Sequence, residues 1–382
     1  MKKRVGIIGA GQLGVYLCQA ARHLGMTTTV LTQDAGAPAI AEADAVIVAD
    51  YDDEAAIRQL CNGVDRVTFE FEDVPESTLQ LLESLRADSV VEVFPHPETL
   101  RLIKNKAVQK QWLQNKGFPT SKFVVCNDTP DFDAIAEELG LPFVQKVQTG
   151  GFDGRGVQVL TADSAASIWP TPSLAEVFVE YERELSVVVS RNVSGDVAVY
   201  PLVEQQFSAD AFVLQMAFSP AEIANDVEQR ARSLGEEIVR QLDGVGVFAI
   251  ELFLTANNEL LVNEISPRVH NSGHMTLEAH ATSQFEQHLR AIHDLPLGDV
   301  TQLHPAVMVN ILFDESMQRF CQLPVSCWHP DPQTATHWYG KTEGREGRKM
   351  GHITSTAKTL VEASRLVSNA LTALSDSEER IA

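Results

Sequence analysis

The sequence predicts an α/β protein whose N-terminal part is a doubly wound parallel sheet. Residues 4–8 form a short apolar run, and a glycine-rich turn leads into a helical stretch that ends near residue 24. A β-branched run at 27–31 follows, and this order of strand, glycine turn, helix and strand is typical of a nucleotide-binding sheet. A second observation predicts a different architecture later in the chain, because two apolar runs flank the Asn-containing turn at 256–258 and indicate a β-hairpin.

The length of 382 residues is enough for two or three domains, each with a buried core. Further strands of the first sheet are expected at 45–49, 66–71 and 90–94. Changes in pattern divide the chain into three predicted units, at residues 1–103, 104–298 (with a flap subdomain at about 120–185) and 299–382.

The composition excludes several classes of function. The apolar share of 44% and the charged share of 21% are those of an ordinary globular protein, and no segment approaches the roughly 20 apolar residues of a membrane span. A formal charge of −22 argues against nucleic acid or anionic membrane as a partner. Five cysteines without a Cys-x-x-Cys pair argue against a disulfide framework or a zinc site, so a cytoplasmic protein is expected.

The turn at residues 9–14 has the spacing Gly-x-Gly-x-x-Gly, and Asp34 follows 20 residues after Gly14. This spacing meets the dinucleotide fingerprint, so a nicotinamide-dependent oxidoreductase is a serious alternative. The glycines also serve simple turn geometry, which makes the motif weak by itself. Three acids, Glu70, Glu72 and Asp73, follow a predicted strand at the edge where open α/β sheets bind ligands. A solvated strand end is an equally good interpretation of any one of them.

The hairpin at 251–264 carries the strongest metal-binding signal. If Asn257 and Asn258 form the loop, Glu251 faces Glu264 across the ladder. Directly opposed like charges are destabilising, so such a pair is best kept when a cation lies between them. Carboxylate oxygens suit Mg²⁺, which commonly binds one or two carboxylates together with substrate phosphates. The alternative is a solvated hairpin with both side chains pointing outward.

Basic residues and a glycine flap in the middle unit predict a phosphate-binding site. Lys106 lies in the first turn of a predicted amphipathic helix over 104–116, and Lys146 ends a predicted strand 40 residues later. Four glycines within residues 150–156 expose backbone N–H groups that can surround phosphate oxygens. Gly-Lys-Ser/Thr is missing, so this is not a Walker A loop, and a plain hairpin turn remains an alternative.

A basic cluster stands out near the C-terminus of this acidic chain. Residues 341–349 hold four basic and two acidic side chains, and Lys341, Arg348 and Lys349 suit a phosphate monoester. A solvated charged turn is the competing interpretation. The donor-rich loop at 266–274 directly follows the acidic hairpin, which places nucleotide and substrate side by side in our hypothesis.

Taken together, the two lysines, the flap, the acids at 176 and 184, and Asn263 with the opposed glutamates resemble the ATP-grasp superfamily. The stretches 263–298 and 338–352 are specific to a much smaller group of proteins. They are similar to the N5-carboxyaminoimidazole ribonucleotide synthase family of purine biosynthesis. The resemblance runs from Gly9 to about His352 with its spacing kept.

The resemblance implies a Rossmann-like N-terminal domain, a central ATP-grasp domain and a small β-rich C-terminal domain. It also implies a reaction in which ATP, bicarbonate and 5-aminoimidazole ribonucleotide give ADP, phosphate and N5-carboxyaminoimidazole ribonucleotide through carboxyphosphate. Mg²⁺ is the implied metal, and a homodimer is the implied assembly. The glycine turn would then hold a mononucleotide and not NAD.

The resemblance further implies residue roles. The expected metal ligands are Glu251 and Glu264, and catalytic roles fall on Asp153, Arg268, His270 and Lys341. The expected substrate contacts are Gln12, Leu13, Arg268, His270, Asn271, Lys341, Arg348 and Lys349. The expected ATP contacts are Lys106, Lys146, Gly151, Phe152, Asp153, Gly154, Arg155, Gly156, Glu176, Val179, Glu184, Asn263 and Glu264.

The chain departs from the family pattern at three places. Val15 and Tyr16 follow Gly14 where Arg-Met is usual, Phe152 replaces a common Tyr, and residues 205–207 replace the family's Asn-x-His. The last change affects one nucleotide-facing side chain and leaves open an ATP-grasp relative that acts on another amine. A non-catalytic nucleotide-binding regulator is a further alternative.

Overall fold

The computed structural model describes residues 2–151, 155–208, 213–313, 331–341 and 344–381, with side chains up to residue 373. Three expected site residues, Phe152, Asp153 and Gly154, therefore lie outside the described part of the chain.

The N-terminal part forms the predicted parallel sheet, with strands in the order β3-β2-β1-β4-β5. The strands are β1 (Arg4–Ile8), β2 (Thr27–Thr32), β3 (Ala45–Val48), β4 (Arg66–Phe69) and β5 (Glu92–Val93). The helices are α1 (Gln12–His23), α2 (Glu54–Gly63), α3 (Glu76–Ala87) and α4 (Pro97–Lys104). The order reverses between β2 and β4 around β1, so the turn after β1 lies at the switch point where such sheets bind ligands.

A small antiparallel sheet of four strands follows, in the order β6-β9-β7-β8. Its elements, after helix α5 (Lys106–Asn115), are β6 (Phe123–Cys126), α6 (Phe132–Leu139), β7 (Phe143–Val147), β8 (Val157–Leu160) and β9 (Ser173–Val177). Strands β7 and β8 flank the glycine flap, so the flap connects two hydrogen-bonded neighbours.

The large sheet has nine strands among the described residues, and it runs without a break from the acidic hairpin into the C-terminal part. Its central elements are β10 (Arg183–Arg191), β11 (Val197–Val199), β12 (Val203–Phe207), β13 (Leu214–Ser219), α7 (Asn225–Gln241), β14 (Gly246–Leu254) and β15 (Leu260–Ser266). The later elements are α8 (Thr276–Ala279), α9 (Gln284–Ile292), β16 (Ala306–Leu312), β17 (Thr334–Trp338), β18 (Lys349–Thr356) and α10 (Leu360–Ile381). Antiparallel pairing of β13 with β16 joins the two parts.

A shared apolar core holds the N-terminal sheet against the large sheet. Leu13 and Tyr16 of α1 are buried in one cluster with Phe285 of α9 and Tyr339, which follows β17. Because one face of α1 packs in this cluster, the glycine turn at its N-terminus is fixed close to the C-terminal basic residues.

Two predicted helices are shorter than expected, and each break has a local cause. The helix predicted over 104–116 begins at Lys106, because the Asn105 side chain accepts hydrogen bonds from the backbone N–H of Ala107 and Val108, both at 3.0 Å. The sequence of 278–292 also predicts one continuous helix, but α8 ends at Ala279 and Ser283 caps α9 by accepting from the N–H of Glu286.

Among the described helices, none combines the length and the apolar content that crossing a lipid bilayer would require.

Replacement of Gly235 tests how tightly helix α7 packs on the large sheet. A Cβ atom at Gly235 would lie 2.7 Å from Cγ1 of Val187 and 3.2 Å from Cγ2 of Val189. We expect Gly235→Ala to lower the free energy of unfolding by about 1–3 kcal/mol through overpacking, measured by chemical denaturation. Gly63→Ala is the matched control, because a Cβ there meets nothing within 4 Å. Equal effects of the two substitutions would contradict this packing.

Candidate functional site

The hairpin of β14 and β15 places Glu251 directly opposite Glu264, as the sequence pattern predicts. The turn is one residue longer than expected, because the Thr255 N–H donates to Glu259 O and residues 256–258 form the loop. A β-bulge between Glu251 and Leu252 leaves Asn263 without a ladder partner and restores the predicted register. Through this bulge the consecutive side chains of Asn263 and Glu264 both reach lysines of the site.

The two facing carboxylates form a strongly acidic centre. Burial, followed by the charges of Glu264 and Glu184, raises the pKa of Glu251 to about 7. The amide of Gln205 donates to Glu251 Oε1 at 3.4 Å and opposes that rise. His270 Nε2 lies 3.8 Å from the same oxygen. The centre therefore has excess negative charge that a cation would offset.

Two lysines, on different elements, reach the acidic hairpin. Lys106, the first residue of α5, donates to Glu264 Oε1. Burial alone would lower the pKa of Lys106, but Glu264, Glu72 and Glu251 together raise it. Lys146 on β7 donates to Asn263 Oδ1 at 2.9 Å and pairs with Glu176 Oε1 at 2.8 Å. The structure thus brings Lys106 to the predicted metal ligand Glu264 and Lys146 to the neighbouring Asn263.

Lys110 completes a buried ion network that sequence reasoning missed. Its ammonium group pairs with Glu176 Oε2 at 2.8 Å and also donates to Ser121 Oγ at 3.0 Å. Burial raises the pKa of Glu176, but Lys110 and Lys146 outweigh it and hold the pKa well below its usual range. Since Lys110 lies one helical turn after Lys106, the four-residue spacing was an available signal that both face the same site.

Three further residues that were expected to contact ATP, Glu176, Val179 and Glu184, lie along one stretch of the chain. Val179 is half-buried in the extended link between β9 and β10, where its backbone is outside the strand ladders. Glu184 lies on β10, shares a hydrogen bond with Tyr181, and has a pKa raised by burial. The carboxylate of Glu176 is already held by two lysines, so this side chain orients Lys146.

The described parts of the flap are held closely against β7. Gly150 and Gly156 have φ of +76° and +75°, a region that favours glycine. A Cβ at Gly151 would lie 2.7 Å from Arg155 O, and one at Gly156 would lie 2.4 Å from Val147 Cγ2. These close approaches explain why glycines recur at both ends of the flap.

The loop after β15 links the acidic hairpin with the N-terminal sheet. Arg268 Nε donates to Glu72 Oε2 at 2.5 Å. Burial raises the pKa of Glu72, but Arg268 and then Lys106 outweigh it, so the net pKa is lowered. His270 Nδ1 lies 3.0 Å from Ser272 Oγ, and the buried Asn271 amide exchanges hydrogen bonds with the Asn310 amide on β16.

A cavity of about 500 Å³ lies between the glycine turn and the C-terminal basic cluster. Lys341 lies in its lining and donates to the Lys349 backbone carbonyl oxygen at 2.7 Å, which holds the Lys341 side chain against the start of β18. Leu13 is buried in the core below. The expected substrate residues in the lining are Gln12, Lys341, Arg348 and Lys349, and Arg155, which was expected to contact ATP, also lies there.

Three family models match the chain in order. They are the ribonucleotide synthetase preATP-grasp domain over residues 1–104, the ATP-grasp domain over 111–285, and the phosphoribosylaminoimidazole carboxylase C-terminal domain over 306–365. An N5-carboxyaminoimidazole ribonucleotide synthase of Brucella melitensis is 38% identical over 358 residues, which cover 92% of this chain and 95% of that protein. The chain belongs to the N5-carboxyaminoimidazole ribonucleotide synthase family.

Solved structures of this synthase family agree with the fold. The synthetase of Thermotoga maritima superposes with a TM-score of 0.83 at 36% identity, covering 96% of this chain and 97% of that chain. The synthase of Aspergillus clavatus, in complex with ADP and 5-aminoimidazole ribonucleotide, superposes with a TM-score of 0.88 at 31% identity, covering 98% and 99%. The predicted fold class and family are confirmed, and the chain is an ATP-dependent ligase of purine biosynthesis.

Membership in the synthase family does not favour the alternative of a nicotinamide-dependent oxidoreductase. The glycine turn suggested that alternative, but in the structure the turn binds a carboxylate of this chain. The backbone N–H groups of Gly11 and Leu13 donate to Glu70. The fingerprint spacing alone could not distinguish an internal carboxylate from a bound phosphate.

The departure from the synthase pattern at residues 205–207 has a structural counterpart. Phe207 packs against an apolar cluster that includes Leu214 and Met275. Gln205 is buried beside Glu251, and its carbonyl oxygen accepts no hydrogen bond from the described residues. The amide of Gln205 therefore faces the site, and the aromatic ring of Phe207 faces the core.

The raised pKa of Glu251 predicts a pH-dependent stability. The group holds its proton more tightly when folded, so the stability it contributes is complete below its unfolded pKa and is lost as pH rises toward about 7. For metal-free protein, we compare the free energy of unfolding of Glu251→Gln with that of wild type. The difference, variant minus wild type, should be larger at about pH 8 than at about pH 5 by on the order of 3 kcal/mol. Denaturation at the two pH values measures the difference. The exposed Glu259→Gln serves as control, and a parallel pH response in both variants would refute the prediction.

Proposed function

We propose that the protein carboxylates the exocyclic amine of 5-aminoimidazole ribonucleotide with ATP and bicarbonate, and releases ADP, phosphate and N5-carboxyaminoimidazole ribonucleotide. The observation that carries the proposal is the position of the Arg268–Glu72 ion pair. Glu72 interacts electrostatically with Lys106 beside the acidic hairpin, and Arg268 interacts with Glu70 in the wall of the basic cavity. The pair therefore joins a site suited to a nucleotide with one suited to a phosphate monoester.

At the nucleotide end, the chain supplies charge and position. Lys106 and Lys146 offset the charge of the terminal phosphates, and the buried network of Lys110 and Glu176 fixes the direction of Lys146. Phosphoryl transfer depends mainly on such positioning and charge neutralisation. The link around Val179 and the carboxylate of Glu184 are suited to the adenine and the ribose hydroxyls of ATP.

The acidic pair fits Mg²⁺. No cluster of three or more metal-binding side chains occurs among the described residues, so two protein carboxylates, Glu251 and Glu264, would hold the ion together with nucleotide oxygens. Burial and then the charges of Glu264 and Glu184 raise the pKa of Glu251, and a bound cation would offset those charges. When bound, Mg²⁺ supplies charge neutralisation of the phosphates.

In the proposed reaction, a bicarbonate oxygen bonds to the γ-phosphorus of ATP as the bond to ADP breaks, giving carboxyphosphate. The carbon–oxygen bond to phosphate then breaks, and the substrate nitrogen bonds to the carbon with loss of a proton. Asp153, Arg268 and His270 are proposed at this end of the site, where Arg268 is held by Glu72 and His270 by Ser272. Closure of the flap over carboxyphosphate would exclude water.

The cavity at the other end is proposed for the ribonucleotide. Lys341, Arg348 and Lys349 would bind its phosphate, and Gln12 with the adjoining turn would contact the aminoimidazole ring. A cytoplasmic homodimer completes the proposal.

The decisive assay measures ADP release from ATP with purified protein. We expect release to require both bicarbonate and 5-aminoimidazole ribonucleotide, and Glu264→Gln to abolish turnover while weakening Mg·ATP binding far more than ribonucleotide binding. Glu259→Gln is the control, since Glu259 is exposed at the far end of the same hairpin. Full turnover by Glu264→Gln would defeat the metal assignment, and ADP release that ignores the ribonucleotide would defeat the substrate assignment.

Lys349→Ala tests the phosphate end of the cavity. Loss of one charge-assisted phosphate contact should raise KM for the ribonucleotide at least about tenfold and leave KM for ATP nearly unchanged. Steady-state kinetics with each substrate varied in turn gives both constants. Lys358→Ala, at an exposed position outside the cavity lining, should change neither. An equal rise in both KM values for Lys349→Ala would place the phosphate site elsewhere.

A further inference from the structure

Glu70 places a carboxylate where the glycine turn would otherwise receive a phosphate. The residue follows β4 and is buried. The backbone N–H of Gly11 donates to Glu70 Oε2 at 2.5 Å, and the N–H of Leu13 donates to Oε1 at 3.1 Å. One side chain from the segment after a neighbouring strand thus satisfies two N–H groups of the turn.

The first two glycines of the fingerprint, Gly9 and Gly11, are required by this same carboxylate. A Cβ at Gly9 would lie 2.7 Å from both Cβ and Oε2 of Glu70, and a Cβ at Gly11 would lie 2.5 Å from Oε1. Gly9 also has φ of +111°, a backbone conformation that residues with a side chain rarely adopt. The spacing that usually lets a cofactor phosphate approach the backbone here lets Glu70 approach it.

Helix α1 lacks a cap of its own. Gly11 occupies the N-cap position without a side-chain hydrogen bond, and the first turn contains no acidic residue. The unpaired N–H groups and the dipole of a helix N-terminus favour a negative charge. Glu70 supplies that charge from outside the helix, so the helix start and the end of β4 are joined.

We propose that Glu70 is a positioning residue, an internal replacement for a phosphate, which holds the 11–14 turn so that Gln12 faces the ribonucleotide. The proposal rests on the proposed function of the cavity, because Glu70 and Gln12 both line it. It assigns no substrate contact to Glu70. It also explains why a turn with the dinucleotide spacing serves a mononucleotide in this chain.

Removal of the carboxylate and its replacement from solution test the proposal. Glu70→Ala should raise KM for 5-aminoimidazole ribonucleotide at least about tenfold and leave KM for ATP within about twofold, the scale of lost charge-assisted hydrogen bonds. Acetate, a small carboxylate, should restore much of the affinity, whereas acetamide at the same concentration should not. Glu70→Gln, which keeps one acceptor oxygen and the shape of the side chain, should lie between wild type and Glu70→Ala. Glu54→Ala, at an exposed carboxylate, should show no response to acetate.

A thermal melt separates this proposal from the proposed function. Acetate should raise the Tm of Glu70→Ala and leave the Tm of wild type unchanged, because only the variant offers the vacated N–H groups. This result requires no turnover, so it stands even if wild type fails to carboxylate the ribonucleotide. An unchanged KM for the ribonucleotide in Glu70→Ala, or equal effects of acetate and acetamide on its Tm, would overturn the proposal.

Discussion

Repulsion between two facing carboxylates is the constraint on which the site depends. Glu251 and Glu264 are opposed in one hairpin, and burial together with the charge of Glu264 raises the pKa of Glu251. Lysines from two other elements, α5 and β7, reach this hairpin through Glu264 and Asn263. Helix α5 and strand β7 therefore bring positive charge to the hairpin of the large sheet, where two carboxylates face each other.

The positive groups are themselves ordered by acids that are buried, as Glu176 is, or half-buried, as Glu72 is. Glu176 holds both Lys110 and Lys146, while Glu72 holds Arg268 and influences Lys106. Breaking one partner of a buried pair leaves an uncompensated charge and is more costly than losing a surface pair. The arrangement keeps long, flexible side chains directed into the site before any ligand arrives.

The fold class, the parallel sheet and the opposed glutamates follow from local patterns, and the sequence predicts them correctly. The site depends on features with no local pattern. The bulge at Asn263 compensates for a turn one residue longer than expected, so two deviations cancel in the register. The four-residue spacing of Lys106 and Lys110 indicates a shared helix face but not the partner Glu176, and the partner of the glycine turn, Glu70, lies 59 residues from Gly11. Spacing along the chain does not specify which distant group fills a cap or a buried ion pair.

The unbroken large sheet sets a fixed length scale across the molecule. The strand that carries Glu251 and the strand that begins at Lys349 belong to one hydrogen-bonded ladder, whose neighbours are spaced at roughly 4.8 Å. Such a ladder does not stretch, so the gap between the acidic hairpin and the basic cluster is nearly constant. The two molecules proposed to bind at its ends must together match this span before their reacting groups can meet, so length joins charge as a criterion of selection.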